Sequence, residues 1–440
     1  MNHQPIIPQP PFRLPTERPA RDRARLAALA GFWAAALASA PLAAQGPDVA
    51  PGFSFDVRYD VELVPEEDRA NVSITIGEGA HNVVWLRLNT KPHRHSGFTG
   101  DGEIATEGRY VTWTPPDDGG TLSYAVQITH RRGNAHDARM TRDWALFRGD
   151  DLVPPIRIRK EEFAESDATL RLTLPEGWSF VAPYPEVEDQ VFAIEHLDRG
   201  LDRPTGWMLA GRLGVRRERI AKVRVAVAGP LNEGVRRMDI LAFLNWNLPR
   251  LKAIVPEMPA HLAIVSARDE MWRGGLSGPS SLYIHADRPL ISENGTSTLL
   301  HELVHVFTGL QGGDGGDWVV EGLAEYYSLK LMWRSGTITK SRYDAAFEKL
   351  GEWAKKAKGR RLDGPSAIGP MQARAVLIMR DLDREIYRAT GQKDSLDEVV
   401  KLLVEAGGKV NTASFDQAVT EVIGEPSKTL ADVAADIGLE

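Results

Sequence analysis

The 440-residue chain contains no cysteine. This absence excludes disulfides, thiolate metal ligands and catalysis by a cysteine nucleophile. It also excludes anchoring through a lipid-modified cysteine. A chain of this length has room for two or three domains and an ample apolar core, so a lack of disulfides does not exclude an oxidising compartment.

Long basic tracts are also missing. The formal net charge is −7 and charged residues make up 26 % of the chain, which argues against nucleic acid as a partner. The glycine-rich run Gly312–Gly316 lacks the following Lys and Ser/Thr of a phosphate-binding loop. We interpret this run as a turn between two helices.

The N-terminus carries the one apolar run of near-spanning length. Four arginines between positions 18 and 25 precede apolar residues 26–44, and Ala38-Ser39-Ala40 and Leu42-Ala43-Ala44 are candidate cleavage sites. The pattern predicts a signal peptide over residues 1–45, hence a periplasmic or secreted protein with no membrane span in the mature chain. An uncleaved anchor and an ordinary buried helix are the alternatives.

Hydrophobic residues then recur with two different periods. From Phe53 to Leu63 apolar and polar residues alternate, and further short runs of this kind are separated by Pro and Gly clusters. This predicts an antiparallel β-sandwich-like domain over residues 46–230, ending near Gly229-Pro230. Helical patterns dominate residues 231–440, so the fold class is α+β with more than one domain.

The pattern His301-Glu302-Leu303-Val304-His305 carries the chemistry. Residues four apart on a helix lie one above the other, so both imidazoles can face one point, with Glu302 beside it. Zinc-assisted hydrolysis needs two neutral nitrogen ligands and a nearby carboxylate base. A helix from about Ser297 to Leu310, capped by Thr296 or Ser297, fits the apolar spacing around the motif.

A second predicted helix, opening at Asp317, supplies further carboxylates. Glu321 can complete the ligand set with His301 and His305, and Glu325, one turn on, can accept a hydrogen bond from the outer nitrogen of a ligand histidine. Three protein ligands with one open position describe a catalytic Zn²⁺ site. The plainer interpretation is a pair of core histidines with satisfied hydrogen bonds.

The segment from Trp318 to Tyr327, with the motif before it, resembles the gluzincins, and most of all the glycyl-aminopeptidase (tricorn-factor-like) family. That family has a Trp-x-x-Glu-Gly-x-x-x-Tyr-Tyr pattern there. The resemblance implies zinc ligands His301, His305 and Glu321, Glu302 as general base, and a thermolysin-like catalytic domain after a β-rich one. We expect a shortened member without a PDZ domain.

Two departures from the family pattern affect catalysis. Gln372-Ala373-Arg374-Ala375 lies where a Tyr-x-Lys-Gly pattern is expected, so the oxyanion-holding tyrosine is missing. Gln372, Tyr326 and Tyr327 are the possible oxyanion donors. The strand expected to align substrate, 281–286, has no Glu to hold a free amine, although Asp287 and Glu293 follow it. Aminopeptidase and endopeptidase modes therefore both stay open.

These patterns together predict a secreted or periplasmic zinc metallopeptidase that acts on peptide or protein substrates. The alternative is a weak or inactive zinc-binding envelope protein that binds peptide segments. Oligomeric state does not follow from the sequence.

Overall fold

The computed structural model describes residues 53–194, 200–255, 257–268, 270–364 and 367–439. The predicted signal peptide, residues 1–45, lies outside the described residues. Within the described ranges, no helix has both the length and the apolar character needed to cross a membrane.

The first part of the chain is built from strands, as its alternating pattern predicts. The strands are β1 Ser54–Val64, β2 Arg69–Ile76, β3 Val83–Asn89, β4 His95–Gly100, β5 Glu103–Glu107, β6 Tyr110–Thr114, β7 Gly120–Gln127, β8 His130–Arg132, β9 Ala135–Met140, β10 Trp144–Arg148, β11 Ile156–Lys160, β12 Glu165–Thr173, β13 Ser179–Val181, β14 Glu186–Glu188, β15 Val191–Ile194 and β16 Trp207–Gly211. They form three sheets, ordered β14-β15-β12-β1-β2-β7-β4, β13-β16-β10-β9-β8 and β11-β3-β6-β5.

Strand β1 shows why this region folds as it does. Every second residue from Phe55 to Leu63 is buried while its neighbours face outward, so one side of the strand faces the core. Phe53 is the exception at 45 % exposed. The expectation of purely antiparallel pairing is wrong at one place, because β1 runs parallel to β12.

A further sheet links the strand-rich and helical parts. Its members are β17 Leu213–Ile220, β18 Val223–Pro230, β19 His261–Val265, β20 Gly275–Gly278 and β21 Ser281–Ile284, in the order β17-β18-β19-β21-β20. Strand β18 pairs with β19, so the division predicted at Gly229-Pro230 falls at the end of a strand inside this sheet. Trp207 of β16 packs on one face against Tyr283, with ring centroids 5.3 Å apart.

Most of the helices follow this sheet in the chain, and those over residues 237–251 and 298–308 pack against it. The described helices are α1 Gly149–Leu152, which precedes the sheet, and α2 Arg237–Leu251, α3 Thr298–Thr308, α4 Asp317–Ser335, α5 Lys340–Ala354, α6 Pro370–Ala389, α7 Leu396–Glu405, α8 Thr412–Ile423, α9 Lys428–Ala431 and α10 Ala434–Ile437. The largest apolar core lies between these helices and the sheet.

The turn between α3 and α4 depends on glycine. Gln311–Gly312 pairs in parallel with Lys409–Val410 as strands β22 and β23. A Cβ on Gly316 would collide with the carbonyl oxygen of Val410, so only glycine fits where these two segments meet. The segment Lys409–Val410 therefore holds the predicted turn in place, and the turn determines where α4 begins.

Candidate metal centre and active site

Helix α3 presents its two histidines to one point. Its first turn is capped by Ser297, whose side chain accepts from the backbone N–H of Leu300, and Gly309 ends it in the left-handed conformation. Leu303 and Phe307 anchor the buried side of the helix. On the other side, the Nε2 atoms of His301 and His305 lie 3.2 Å apart.

Helix α4 brings a carboxylate to the same point. The Glu321 oxygens lie 3.4 Å from Nε2 of His301 and 3.6 Å from Nε2 of His305. Ligand atoms about 2.0–2.1 Å from a tetrahedral zinc ion lie roughly 3.3–3.4 Å from one another. The three separations match that spacing, so His301, His305 and Glu321 fit a zinc ion as a donor set.

Glu325 lies at the outer nitrogen of the first histidine. Its Oε2 is 3.1 Å from Nδ1 of His301, the ring atom that faces away from His305. A carboxylate in this position holds the imidazole tautomer and orientation that leave Nε2 free to bind a metal. The side chains of His301 and His305 are 12 % and 15 % exposed, so the cluster can be reached from solvent.

Glu302 is held by a strand that sequence reasoning missed. Its Oε2 accepts a 2.8 Å hydrogen bond from the backbone N–H of Ser277 in β20. A Cβ on Gly275 would lie 2.8 Å from Cγ of Glu302, so glycine is required where the strand meets α3. The Gly274-Gly275 pair is the one signal of this contact in the sequence, since glycine in a strand often marks a close backbone approach.

Burial and charge set the protonation of the cluster. Burial alone would lower the pKa of His301, but hydrogen bonds to Glu321 and Glu325 outweigh it and raise that pKa well above its ordinary value. Burial, helped by the His301 charge, lowers the pKa of His305 to about 4. Burial also raises the pKa of Glu302. The two carboxylates thus favour positive charge at this point of the cluster, whether it is carried by a proton or by a cation.

Gln372 lies beside the cluster, and the two candidate tyrosines do not. The Gln372 amide Nε2 donates to Oε2 of Glu321 at 3.1 Å. The hydroxyls of Tyr326 and Tyr327 instead donate to Asp383 and Asp397. Because Asp383 is three helical turns beyond Gln372, roughly 16 Å along α6, these hydroxyls are directed away from Glu321. Neither hydroxyl lies at the cluster in this arrangement, and the role of Tyr326 and Tyr327 as oxyanion donors stays a prediction.

The strand expected to align substrate is also different from the one observed at the sheet edge. Strand β21, which covers the predicted segment, is paired on both sides, with β19 and with β20. At this side of the sheet the edge strand is β20, and it carries no carboxylate. Asp287, named as a possible amine anchor, accepts from Nε of Arg268 at 2.7 Å.

The protein combines a strand-rich N-terminal part, a sheet-and-helix part and a His-His-Glu cluster on two successive helices. The fold is similar to that of an aminopeptidase N family protein from Idiomarina loihiensis, with a TM-score of 0.65 and 17 % identity over 87 % of this chain and 75 % of that one. At this identity the likeness shows the fold. No protein-family model and no curated protein matches the chain.

Proposed function

We propose that this protein is a zinc-dependent hydrolase of peptide bonds. The observation that carries the proposal is the spacing of 3.2–3.6 Å among the ligand atoms of His301, His305 and Glu321. The aminopeptidase N-like fold supports peptide bonds as the target, because its solved neighbour is described as an aminopeptidase. We further propose membership of the gluzincin group.

The residues around the cluster have separate tasks. When bound, zinc supplies a Lewis acid that polarises a carbonyl and lowers the pKa of water towards about 7. Glu302 accepts the proton of the attacking water and passes it to the leaving amine. The Ser277 N–H fixes the orientation of the Glu302 carboxylate. Glu325 fixes the orientation of the His301 ring.

Gln372 positions the third ligand in this proposal. Helices α4 and α6 pack closely at this point, since a Cβ on Gly322 would lie 3.0 Å from Cβ of Ala375. The short distance between the helices holds the Gln372 amide against Glu321. A hydrogen bond to the carboxylate restricts its rotation and so favours one ligand geometry.

The edge strand suggests how substrate is held. The Ser277 N–H is turned away from β21 towards Glu302, so the free edge of β20 runs beside the catalytic carboxylate. An extended peptide can pair with such an edge through its own backbone. Because β20 has no acid to bind a free amine, we propose that cleavage does not require a free N-terminus.

A second candidate function rests on what surrounds Glu321. Within the described part of the chain, the hydrogen-bond partners of the cluster include Gln372 and Glu325 but no tyrosine. Losing one oxyanion donor costs about 10²–10³ in rate. The second candidate is thus a zinc-binding protein that holds peptide segments and cuts them slowly or not at all. For either function the arginine-led leader supports a periplasmic or secreted location.

Digestion of an unbiased peptide mixture tests the proposal. The zinc-loaded full chain, its chelator-treated form and Glu302→Gln are compared, and products are identified by mass spectrometry. We expect internal cleavage by the zinc-loaded wild type alone, equally on N-acetylated and free peptides. Equally poor cleavage by wild type and Glu302→Gln would favour the second candidate instead. Cleavage confined to free N-termini would overturn the proposed substrate mode.

A further inference from the structure

A cluster of arginines lies on the outer face of the four-stranded sheet β11-β3-β6-β5. Arg157 of β11 and Arg87 of β3 occupy directly opposite positions in the strand register. Arg109 lies in the turn before β6. The guanidinium carbons of Arg87 and Arg109 are 4.6 and 5.2 Å from the centre of the Tyr110 ring. Three positive charges therefore gather around one aromatic side chain, which we call the arginine cluster.

The fold offers little to neutralise the arginine cluster. Like charges directly opposite on neighbouring strands destabilise a sheet. Glu107 accepts from Arg87 at 3.2 Å. The Arg157 backbone belongs to the paired strand β11, but its side chain forms no hydrogen bond or ion pair with any residue that the structure describes. Three arginines against one glutamate leave a surplus of two positive charges, held at a cost in stability.

These side chains line an open cavity at the protein surface. Its volume is about 470 Å³, and Arg87, Arg109 and Arg157 line it together with Asn89 and Tyr110. A hydrogen bond from Arg109, and then the charges of the three arginines, lower the pKa of the Tyr110 hydroxyl. The cavity thus offers paired guanidinium N–H donors, neutral polar groups and a positive potential. Its size suits a small ligand.

We propose that the arginine cluster binds a phosphomonoester group, carried by a small soluble molecule or by a lipid headgroup. Guanidinium groups match the tetrahedral oxygens of phosphate through paired N–H donors. A phosphomonoester carries close to two negative charges at neutral pH, which equals the surplus of the cluster. A phosphodiester carries only one negative charge per phosphate, so it neutralises less of the surplus charge of the arginine cluster. This binding is independent of the hydrolysis proposed above.

Calorimetric titration of the full chain with inorganic phosphate and with glycerol phosphate tests the soluble form. Sedimentation with phosphatidylcholine vesicles, with and without phosphatidic acid, tests the lipid form. Binding in the first assay identifies a soluble source, and binding only to phosphatidic acid vesicles identifies a headgroup. Absence of binding in both assays would overturn the proposal.

Two variants and a matched control locate the site. Arg157→Gln and Arg109→Gln should each weaken binding about tenfold or more, because each removes charge-assisted hydrogen bonds. Arg159→Gln is the control, since Arg159 is exposed on the same face of β11 but does not line the cavity. Equal losses in Arg159→Gln and Arg157→Gln would indicate attraction to general charge and contradict a built site.

Thermal unfolding separates a binding role from a structural one. Replacing Arg157 removes a like charge opposite Arg87, so Arg157→Gln should keep or raise the Tm while losing phosphate affinity. A lowered Tm together with wild-type phosphate affinity would assign the arginine to the fold and contradict the proposal.

Discussion

Helix α4 carries two polar clusters, and they are organised in opposite ways. Towards its start, Glu321 and Glu325 meet the histidines of α3. Towards its end, the Lys330 ammonium lies between Asp383 and Asp397, at 3.0 and 2.9 Å. We call these the histidine cluster and the lysine cluster. Both are largely buried, so burial alone does not distinguish them.

Charge and hydrogen bonding do distinguish them. In the lysine cluster two carboxylates face two cations, Lys330 and Arg334, and the hydroxyls of Tyr326 and Tyr327 donate to the same carboxylates. Donors meet acceptors, and the charges balance. The histidine cluster gathers the carboxylates of Glu302, Glu321 and Glu325 around two imidazoles, so negative charge exceeds positive. A divalent cation would balance it, which supports the proposal that this end of the helix binds a metal.

The largest effect should follow from Glu302→Gln. An amide cannot accept the proton, so turnover of a susceptible peptide should fall about 10²–10⁴-fold. Zinc content and thermal stability should stay at the wild-type level, because the side chain keeps its size and its contact with the Ser277 N–H. Initial rates on a peptide identified by digestion measure the loss. Unchanged turnover would remove Glu302 from the proton transfer.

Breaking the lysine cluster should lower the free energy of unfolding and leave the zinc content unchanged. Lys330→Met leaves two buried carboxylates without their shared cation, which costs about 3–5 kcal/mol of unfolding free energy. Urea titration measures this. Lys340→Met is the matched control, since Lys340 pairs with Asp344 on an exposed helix face and should cost under about 1 kcal/mol. Loss of zinc in folded Lys330→Met would show that the two clusters are not separate.

Replacing Glu325 should lower the affinity for zinc, whereas replacing an exposed glutamate should not. In Glu325→Gln the His301 ring is held less firmly in its orientation. Loss of a hydrogen-bond partner of this kind typically lowers metal affinity by about 10–100-fold. Competition with a chelating dye measures the zinc dissociation constant. Glu348→Gln, on the exposed side of α5, serves as control. Equal zinc affinity in the two variants would contradict the role of Glu325.

Lowering the pH should remove the contribution of Asp397 in the lysine cluster to the free energy of unfolding. Burial would raise the pKa of Asp397, but Lys330 and Arg334 outweigh it and lower the pKa to about 2. Its contribution is therefore present above the unfolded pKa near 3.9 and is lost as pH falls through about 2. This amounts to about 2 kcal/mol between pH 5 and pH 2. Asp397→Asn should show a smaller loss in urea titrations over that interval, and an identical loss would contradict the assignment.

Local patterns predicted one cluster well and the other not at all. His301 and His305 are four residues apart on one helix, and Glu321 follows a short turn, so helix geometry places them together. Contacts between Gln372 and Glu321, or between Tyr327 and Asp397, join residues on different helices. Their alignment depends on how the helices pack, which periodicity does not encode.

The same limit explains the edge strand and the parallel pair of strands. Strand β20 is four residues long, Gly275–Gly278, and has no alternation that marks it as a strand. The parallel pairing of β1 with β12 joins segments more than a hundred residues apart. The sequence predicted that the first part of the chain forms strands and that the histidine motif lies on a helix. It did not predict which strands pair with each other in the sheets.

Zinc stoichiometry tests the central claim most directly. Elemental analysis of the purified full chain, after dialysis against trace zinc, should find close to one zinc per wild-type chain and close to none in His301→Ala. Tyr327→Phe, which alters only the lysine cluster, should keep its zinc. A folded His301→Ala protein that retains the wild-type amount of zinc would contradict the assignment of the metal to the histidine cluster.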